Sequence, residues 1–305
     1  MELRQIQYLV AMYEEGSVTQ AARRLNIVQP AISQQLSKLE AELGQQLFHR
    51  TPKGMVPTKA GESAYKMLRP ILQEIEFARH ELSVGKGEIK GHISVGVVAS
   101  IASSILPEVT KAFVESYPHV SIRATGGYTT ELLEMLRNAS LDIAIVNVPA
   151  RAFNFDAVEI LSEDFSLICA PDHPLSQRKS VDLATLTQYP MVIPSVRHGL
   201  RWVIEDVAQQ HHIRLRPQLE FDEIATIDNL VQQTDFITIL PAIAVKRSLA
   251  VERLKEVPLT PRIARTIVCA TSPSRPIGRA AELFIQVLKQ HSAAITGRSP
   301  EHNNL

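Results

Sequence analysis

The sequence predicts an α/β protein with an all-α N-terminal module, one long helix and two similar α/β lobes. Residues 1–57 show short helical patterns that end in a basic, glycine-containing turn, RTPKGMVPT. Residues 58–86 form a single helical pattern, as expected for a linker helix. From His92 onward, apolar β-rich runs alternate with helical segments, which is typical of a parallel-sheet α/β domain. We expect this domain to cover 92–295, with lobe I at about 92–161 and 267–295 and lobe II at about 162–266.

The composition is that of an ordinary globular protein, with 45% hydrophobic residues. Lys plus Arg and Asp plus Glu both number 32, so the whole chain has no basic bias. Between Ser17 and Ala60, however, six basic residues stand against two acidic ones. Cys169 and Cys269 lie in separate apolar runs, which predicts buried, reduced thiols on strands. Neither a signal peptide nor a run of about 20 apolar residues is visible, so we expect a cytoplasmic protein without a membrane partner.

The segment EEGSVTQAARRLN begins a helix. Ser17 is a suitable N-cap, and Gln20 completes a capping box. A short break at Asn26–Val28 follows, and Pro30 then falls in the first turn of the next helix, where its missing N–H costs little. Two helices joined by a short turn, the second with a polar outer face, form a helix-turn-helix pattern.

The second of these helices has an apolar side, with Ile32, Leu36, Leu39 and Leu43, and a side of short amides and hydroxyls. Gln pairs with adenine edges and Ser with any base, whereas basic side chains hold phosphates. A merely solvated polar face is the alternative, but the turn, the proline and the basic flank occur together and favour DNA binding. The predicted DNA-binding residues are Thr19, Arg23, Gln29, Pro30, Ser33, Gln34, Lys38, Arg50 and Lys53.

The stretch from Glu14 to Gly61, above all QPAISQQLSKLEAELGQQLFHR, resembles the LysR-type transcriptional regulators. The resemblance implies a winged helix-turn-helix, a linker helix that dimerises and a two-lobed effector domain shaped like a periplasmic binding protein. It also implies a homodimer or homotetramer that binds double-stranded DNA and a small-molecule effector, with RNA polymerase as a further partner of an activator. One residue departs from the family: Val28 stands where Ser or Thr usually caps the helix, a loss of about 0.5–2 kcal/mol.

The long helix carries a heptad seam. Small and apolar residues recur in steps of three and four at Gly61, Ala64, Leu68, Ile71, Ile75, Ala78 and Leu82. This period predicts a left-handed contact between two helices, and a second copy of the chain is the simplest partner. Packing on the chain itself is the alternative. We predict dimerisation through Leu68, Ile71, Ile75 and Leu82, with Pro70 bending the helix without ending it.

Ligands of open α/β sheets bind beyond the carboxyl ends of the strands. The residues nominated there as effector-binding are Ala99, Ser100, Thr125, Gly126, Asn147, Pro194, Ser195 and Ile224. An ordinary loop or cap role explains each of them singly as well as ligand contact does. Ser100 is expected to cap the helix that runs from about residue 100 to 117. Together with Arg197, His198 and Arg201, this helix end predicts a small anionic effector.

Motifs of common enzyme classes are missing from the sequence, which has no G-x-S-x-G, H-E-x-x-H, Walker or dinucleotide pattern. His211 and His212 are adjacent, so on a helix they diverge by about 100° and cannot form an i, i+4 metal pair. We therefore predict a regulator without catalytic activity, cofactor or metal. An α/β enzyme with a DNA-binding appendage is the alternative, and an architectural DNA-binding protein with an inactive effector domain is a third reading.

Overall fold

The computed structural model describes residues 1–52, 54–83, 89–148 and 154–296. The chain divides into two compact units, Met1–Glu88 with Arg137–Ser140 and Ile89–Leu136 with Leu141–Leu305. None of the helices within the described ranges has both the length and the apolar character needed to cross a bilayer.

The first unit combines helices with one β-hairpin. Its elements are α1 (Leu3–Glu15), α2 (Val18–Arg24), α3 (Gln29–Leu43), β1 (Phe48–Thr51), β2 (Gly54–Pro57) and α4 (Lys59–Ser83). Leu9, Met12 and Ile32 are almost fully buried and belong to the apolar core on which α1 and α3 meet. The antiparallel pair β1–β2 forms a wing, so the module is not purely helical.

Local signals set the turns of this unit. Gly16 ends α1 in the left-handed region with φ 61°, a conformation that glycine adopts without steric cost. Pro30 lies in the first turn of α3, as predicted, and Val28 is the N-cap without a side-chain hydrogen bond. The capping box predicted at Ser17 is wrong, because its side chain makes no cap hydrogen bond. Burial of Ala21 and its neighbours against α1, rather than a side-chain cap, holds α2 in place.

Helix α4 continues through Pro70, as predicted. At Gly61 it passes so close to the preceding segment that a Cβ would lie 2.1 Å from the Leu47 carbonyl oxygen. Leu68 is only 8% exposed and packs in the core of its own unit. The structure therefore corrects the seam at Leu68, because the first half of α4 is needed to close the core of the helix-turn-helix.

The second half of α4 is more open. Ile71 is 45% exposed, and Ile75 is half-buried. The side chain of Leu82 lies outside the described residues. The part of the predicted dimer seam that remains available therefore centres on Ile71 and Ile75.

The second unit alternates strands and helices. Its strands are β3 (Gly91–Val97), β4 (Val120–Gly126), β5 (Ile143–Asn147), β6 (Asp156–Cys169), β7 (Val181–Asp182), β8 (Val192–Pro194), β9 (Leu219–Phe221), β10 (Thr238–Pro241), β11 (Lys255–Thr260) and β12 (Ala264–Thr271). Its helices are α5 (Ala99–Ala102), α6 (Leu106–Ser116), α7 (Thr129–Arg137), α8 (Gly199–Gln210), α9 (Ile224–Gln233), α10 (Lys246–Ala250) and α11 (Arg279–Thr296). Two 3-10 turns lie at Leu183–Gln188 and Ala242–Val245.

Strand β6 is shared by two lobes. Its first half pairs with β12 and its second half pairs with β10 and β11, all antiparallel. In lobe I the order is β4–β3–β5–β12–β6, and β3 runs parallel to both β4 and β5. The sheet is therefore mixed rather than parallel throughout, because β12 returns along β5 in the opposite direction.

Each lobe has its own apolar core. Phe113 and Phe284 lie in the core of lobe I, and Phe165 lies in that of lobe II. The prediction of buried, free thiols on strands is confirmed for Cys169, at the end of β6, and for Cys269, in β12. Burial raises the pKa of the Cys169 thiol to about 11 and that of the Cys269 thiol to about 12.

Candidate functional site

The polar face of α3 is open to solvent. The opposite face buries Ile32, Leu36 and Leu39 in the core of the first unit. Leu43, predicted on that packed face, is instead 43% exposed, because it ends the helix beyond the core. Exposed on the polar face are Gln29, Pro30, Ser33, Gln34 and Lys38. A helix with short amides and hydroxyls on its open side fits the width of a DNA major groove.

A hydrogen bond joins α2 to the start of α3. The Gln29 Nε2 atom donates to Thr19 Oγ1 at 3.0 Å, and both side chains are exposed. The bond orders the amide group while its oxygen and its second N–H remain available to other partners. Thr19 therefore orients a predicted base-reading side chain.

The basic residues beside this face divide into paired and unpaired groups. Arg24 forms ion pairs with Glu14 at 2.6 Å and with Glu15 at 3.2 Å. Arg23 and Arg50 are exposed, and within the described part of the chain no ion pair involves them. Lys53 lies outside the described residues. An unpaired guanidinium next to the α3 face is free to bind a phosphate.

A half-buried carboxylate, that of Glu14, connects α1 to α4. Glu14 Oε1 accepts hydrogen bonds from Tyr65 Oη at 2.9 Å and from Arg69 Nε at 2.7 Å. Burial alone would raise the pKa of Glu14, but Arg69 and the hydrogen bonds from Arg24, Arg69 and Tyr65 lower it below its usual value. Tyr65 also stacks on Tyr13, with ring centroids 3.9 Å apart. These contacts fix the start of the linker helix on the helix-turn-helix.

The second unit contains a buried polar centre around Arg265. Its guanidinium, with a side chain only 1% exposed, donates through Nη1 to Ser100 Oγ and to Asn147 Oδ1, both at 3.0 Å. On its other side it donates to Glu163 Oε1, from Nε at 2.9 Å and from Nη2 at 2.5 Å. Burial lowers the pKa of Arg265 and raises that of Glu163, and the attraction between the two opposes both shifts. The ion pair and its two polar neighbours therefore satisfy one another.

Gly199, the first residue of α8 in lobe II, packs closely against this polar centre. A Cβ at Gly199 would lie 2.9 Å from Asn147 Nδ2 and 3.8 Å from Thr129 Oγ1. The hydroxyl of Thr129, at the start of α7, is buried and has no hydrogen-bond partner among the described residues. A buried hydroxyl without a partner carries a desolvation cost of about 1–3 kcal/mol, so a ligand that supplied one would bind favourably.

His198 lies beside the same centre as a neutral ring. Its Nδ1 accepts from the Leu200 N–H at 3.2 Å, so the proton resides on Nε2. Burial, together with the nearby Arg265, lowers the pKa of His198 to about 4. At neutral pH the histidine therefore offers a donor without adding charge.

A second polar group lies where the two lobes meet. Ser195 Oγ donates to Asp222, and hydrogen bonds from Ser195 and Tyr128 lower the pKa of this carboxyl group. Arg197 covers the Tyr128 ring at 4.8 Å and reaches Glu131 at 3.3 Å. These contacts connect the two lobes across the opening.

The structure brings together only part of the predicted effector set. Ser100 and Asn147 meet on Arg265, and Ser195 belongs to the second polar group. Pro194 is buried, with its carbonyl accepting from Arg201 at 3.2 Å. The remaining nominated residues lie outside the hydrogen bonds of Arg265: exposed Ala99, half-buried Thr125, exposed Gly126 and core residue Ile224.

Three expectations need correction. Ser100 is not a cap: Val98 is the N-cap of α5, because the Ser100 side chain instead accepts a hydrogen bond from Arg265. The predicted helix is also broken into α5 and α6. Ile224 packs in the core of lobe II, because α9 buries that face. Arg201 is not available to an anion, because it pairs with Glu205 and Glu220 at 2.6 and 3.1 Å.

Two residues that the sequence did not single out belong to this polar region between the lobes. Arg265 precedes the apolar run TIVCA by one position, and a charge entering a buried strand was the available signal. Thr129 begins α7, where a cap role explains it equally well. Within the described ranges no group of three or more His, Cys, Asp or Glu side chains is arranged to hold a metal ion.

Two family models together match most of the chain. Residues 3–62 match the family described as "Bacterial regulatory helix-turn-helix protein, lysR family", and residues 86–293 match the "LysR substrate binding domain". The nitrogen assimilation regulatory protein nac of Escherichia coli is 31% identical over 81% of this chain and 80% of its own length. A hydrogen peroxide-inducible genes activator of Haemophilus influenzae is 27% identical over 91% and 92%.

Solved structures share the fold. A full-length OxyR variant from Pseudomonas aeruginosa superposes with a TM-score of 0.79 at 23% identity, covering 96% of this chain and 95% of that one. CbnR in complex with its target DNA gives a TM-score of 0.67 at 22% identity, covering 95% and 100%. The chain belongs to the LysR family of transcriptional regulators, which join a DNA-binding helix-turn-helix to an effector-binding domain.

Proposed function

We propose that this regulator reads an interrupted palindrome with two copies of α3, each in a major groove. The observation that carries the proposal is the exposed row of Gln29, Ser33 and Gln34, beside the unpaired Arg23 and Arg50. The amides read base edges, while the guanidinium groups hold the backbone on either side. Pro30, Lys38 and Lys53 complete the surface, the last from the sequence pattern alone.

Footprinting on the DNA upstream of its own gene tests this reading. We expect two protected half-sites with centres about 10 base pairs, or a multiple of that, apart, because two recognition helices must face the same side of the duplex. The protected pattern should change in the presence of one member of a metabolite panel. Protection that is independent of DNA sequence contradicts the proposal.

The second unit is proposed to bind a small metabolite that carries a carboxylate or another anionic group. Thr129 Oγ1 lacks a partner within the described part of the chain. Arg265 and the His198 Nε2–H are further donors, and Ser100 and Asn147 both contact Arg265. An acceptor-rich ligand satisfies such a set best. Because Glu163 already neutralises Arg265, the anion would share the guanidinium rather than bind a free charge.

A thermal-shift screen of anionic against neutral metabolites tests this ligand class on the wild type, Ser100→Ala and Thr129→Val. Thr129→Val is nearly isosteric and removes only an unpaired hydroxyl, so the unliganded melting temperature should not fall. The shift caused by the anionic ligand should shrink in both variants. Stabilisation by neutral compounds alone, or an unchanged shift in both variants, contradicts an anion site.

Thiol oxidation is not proposed as the signal, although several relatives are named as hydrogen peroxide-inducible activators. The thiolate is the nucleophile of cysteine, and burial raises the pKa of Cys169 and Cys269 to about 11 and about 12. A neutral, buried thiol reacts slowly with peroxide, so we infer sensing by reversible ligand binding. Intact-mass measurement after millimolar peroxide should find both thiols unmodified while the protein stays folded.

Assembly is proposed to run through the exposed half of the α4 seam, giving dimers that pair into a homotetramer in the cytoplasm. A charge at Ile75 would be buried unpaired between two helices, so Ile75→Glu should be monomeric at micromolar concentration by sedimentation. Glu62→Gln, an exposed change on the same helix, is the control.

RNA polymerase is proposed as a further partner if the protein activates transcription. Catalysis is not proposed, because Ser195 hydrogen-bonds to a carboxylate and not to a histidine base.

A further inference from the structure

A cavity separate from the Arg265 cleft opens on the second unit. It has a volume of about 660 Å³ and lies between the middle of β6, the segment Ala242–Ala250 and Arg262. Ligand pockets commonly measure about 300–1,000 Å³. Its lining combines the apolar residues Leu161, Ile243 and Leu249 with charged ones.

The cations of the lining already have partners. Arg262 binds both oxygens of Asp164, with Nε–O distances of 2.8 and 2.9 Å. Lys246 Nζ lies 3.3 Å from Glu108 Oε1 on α6. Among the described residues, the positive charges of Arg262 and Lys246 are therefore balanced by carboxylates. The charge that a ligand would meet in the cavity comes from the remaining carboxylates.

Two of these carboxylates are not matched by cations of the cavity. Glu256 accepts a hydrogen bond from the neutral Ser166 hydroxyl at 2.6 Å. Glu163 pairs with Arg265, which belongs to the polar centre and not to the cavity lining. Both carboxylates line the same cavity, and the charge of Glu256 adds to the rise in the pKa of Glu163. A cation placed between them would relieve their repulsion.

We propose that this cavity is a second small-molecule site, for a primary amine with an apolar body. The ammonium group lies between Glu256 and Glu163, and the apolar body lies against Leu161, Ile243 and Leu249. An anion is disfavoured, because the cations that would receive it are held by Asp164 and Glu108.

Glu163 links the cavity to the polar centre. Its Oε1 receives two hydrogen bonds from Arg265, whose Nη1 holds Ser100 and Asn147. An ammonium group that shares Glu163 weakens its hold on Arg265, so the guanidinium becomes a better partner for an anion in the cleft. Binding at the two sites is therefore mutually favourable. This coupling rests on the proposed effector cleft, whereas amine binding in the cavity does not.

Benzylammonium is a suitable probe, and benzyl alcohol is its neutral counterpart of similar shape. Both are titrated at constant ionic strength into the full-length protein by calorimetry and thermal shift. We expect saturable binding of benzylammonium to the wild type and to Glu115→Gln, an exposed control of equal charge change on α6. In Glu256→Gln the dissociation constant should rise at least about tenfold, since a charge-assisted hydrogen bond is lost. Benzyl alcohol should not bind detectably.

Equal affinity for Glu256→Gln and the wild type, equal binding of benzyl alcohol, or no binding of benzylammonium to folded wild type overturns the site. The DNA footprint and the response to anionic metabolites do not depend on these outcomes. The proposed function would therefore remain valid if the amine site were disproved. If the amine binds but does not tighten binding of the anion in the cleft, the coupling alone is overturned.

Discussion

The recognition face of α3 and the Arg265 centre use polar side chains in opposite ways. On α3, Gln34 and the neighbouring arginines are exposed and have few partners of their own. The Arg265 guanidinium, by contrast, donates through Nε, Nη1 and Nη2, and its side chain is 1% exposed. An exposed group costs little to leave unpaired, because water satisfies it, whereas a buried charge without a partner is strongly destabilising.

This difference separates stability from recognition. Changes on the α3 face should alter DNA binding and leave the fold intact, since nothing in the core depends on them. Changes in the Arg265 centre should lower stability before any ligand is considered. Glu14 lies between these extremes, because it is a partly buried carboxylate in the DNA-binding unit.

The largest effect is expected for Arg265→Leu. The change leaves Glu163 buried without its partner, at a cost of about 3–5 kcal/mol in the free energy of unfolding. Fluorescence of Trp202, the sole tryptophan, reports denaturation of the second unit. Adding Glu163→Gln to this variant should restore part of the loss. If Arg265→Leu alone were as stable as the wild type, the ion pair between Arg265 and Glu163 would not stabilise the packing of β12 against β6.

A smaller effect is expected for Glu14→Gln, about 1–3 kcal/mol at neutral pH, because charge-assisted hydrogen bonds from Arg69 and Arg24 are lost. The folded state lowers the pKa of Glu14, so its contribution is complete above the usual value and is lost as pH falls through the lowered value. Hydrogen exchange of α1 and α4 amides, corrected for intrinsic rates, should show wild-type protection that falls at acidic pH, as Glu14 becomes protonated below its usual pKa.

The variant should lack that acid-dependent loss of protection, and Glu62→Gln, an exposed change on α4, should behave like the wild type. Identical acid profiles for Glu14→Gln and the wild type would contradict a role for the carboxylate in fixing the linker helix.

Gln34→Ala should leave the free energy of unfolding unchanged and relax base preference at one position of each half-site. Discrimination there should drop by about 1–3 kcal/mol, the usual contribution of a bidentate contact. Competition binding with operators substituted at each position measures it, with Gln20→Ala on α2 as the exposed-amide control. If Gln34→Ala weakened binding equally on every operator sequence, Gln34 would not be a residue that reads base edges.

Arg50→Ala should have the smallest and least specific effect. It should weaken binding to all sequences alike and reduce the slope of log affinity against log salt by about one, because one phosphate contact is lost. Arg178→Ala, an exposed arginine of the second unit, removes the same charge elsewhere and should leave the slope unchanged. A change in base preference for Arg50→Ala would assign it a reading role instead.

The first unit was largely predictable because its signals are local. Pro30 at the start of α3 and the apolar spacing of Ile32, Leu36 and Leu39 each act within a few residues. The apolar seam on α4 was also predictable from the sequence, yet Leu68 packs in the core of its own unit. A periodic stripe shows which side of a helix is apolar, but it does not show whether the chain itself or a second copy covers it.

By itself, the sequence determined the helix-turn-helix, the α/β character of the second unit and the family. Periodicity, helix-start signals and a specific motif are local, so they can be recognised without knowing which distant residues are in contact. The tertiary structure alone decided the cleft. Ser100, Asn147, Glu163 and Arg265 are far apart along the chain and meet because β5, β12 and β6 are neighbours in one sheet. Strand order depends on which long-range pairings bury the most apolar surface, and no local pattern around Arg265 states its partners.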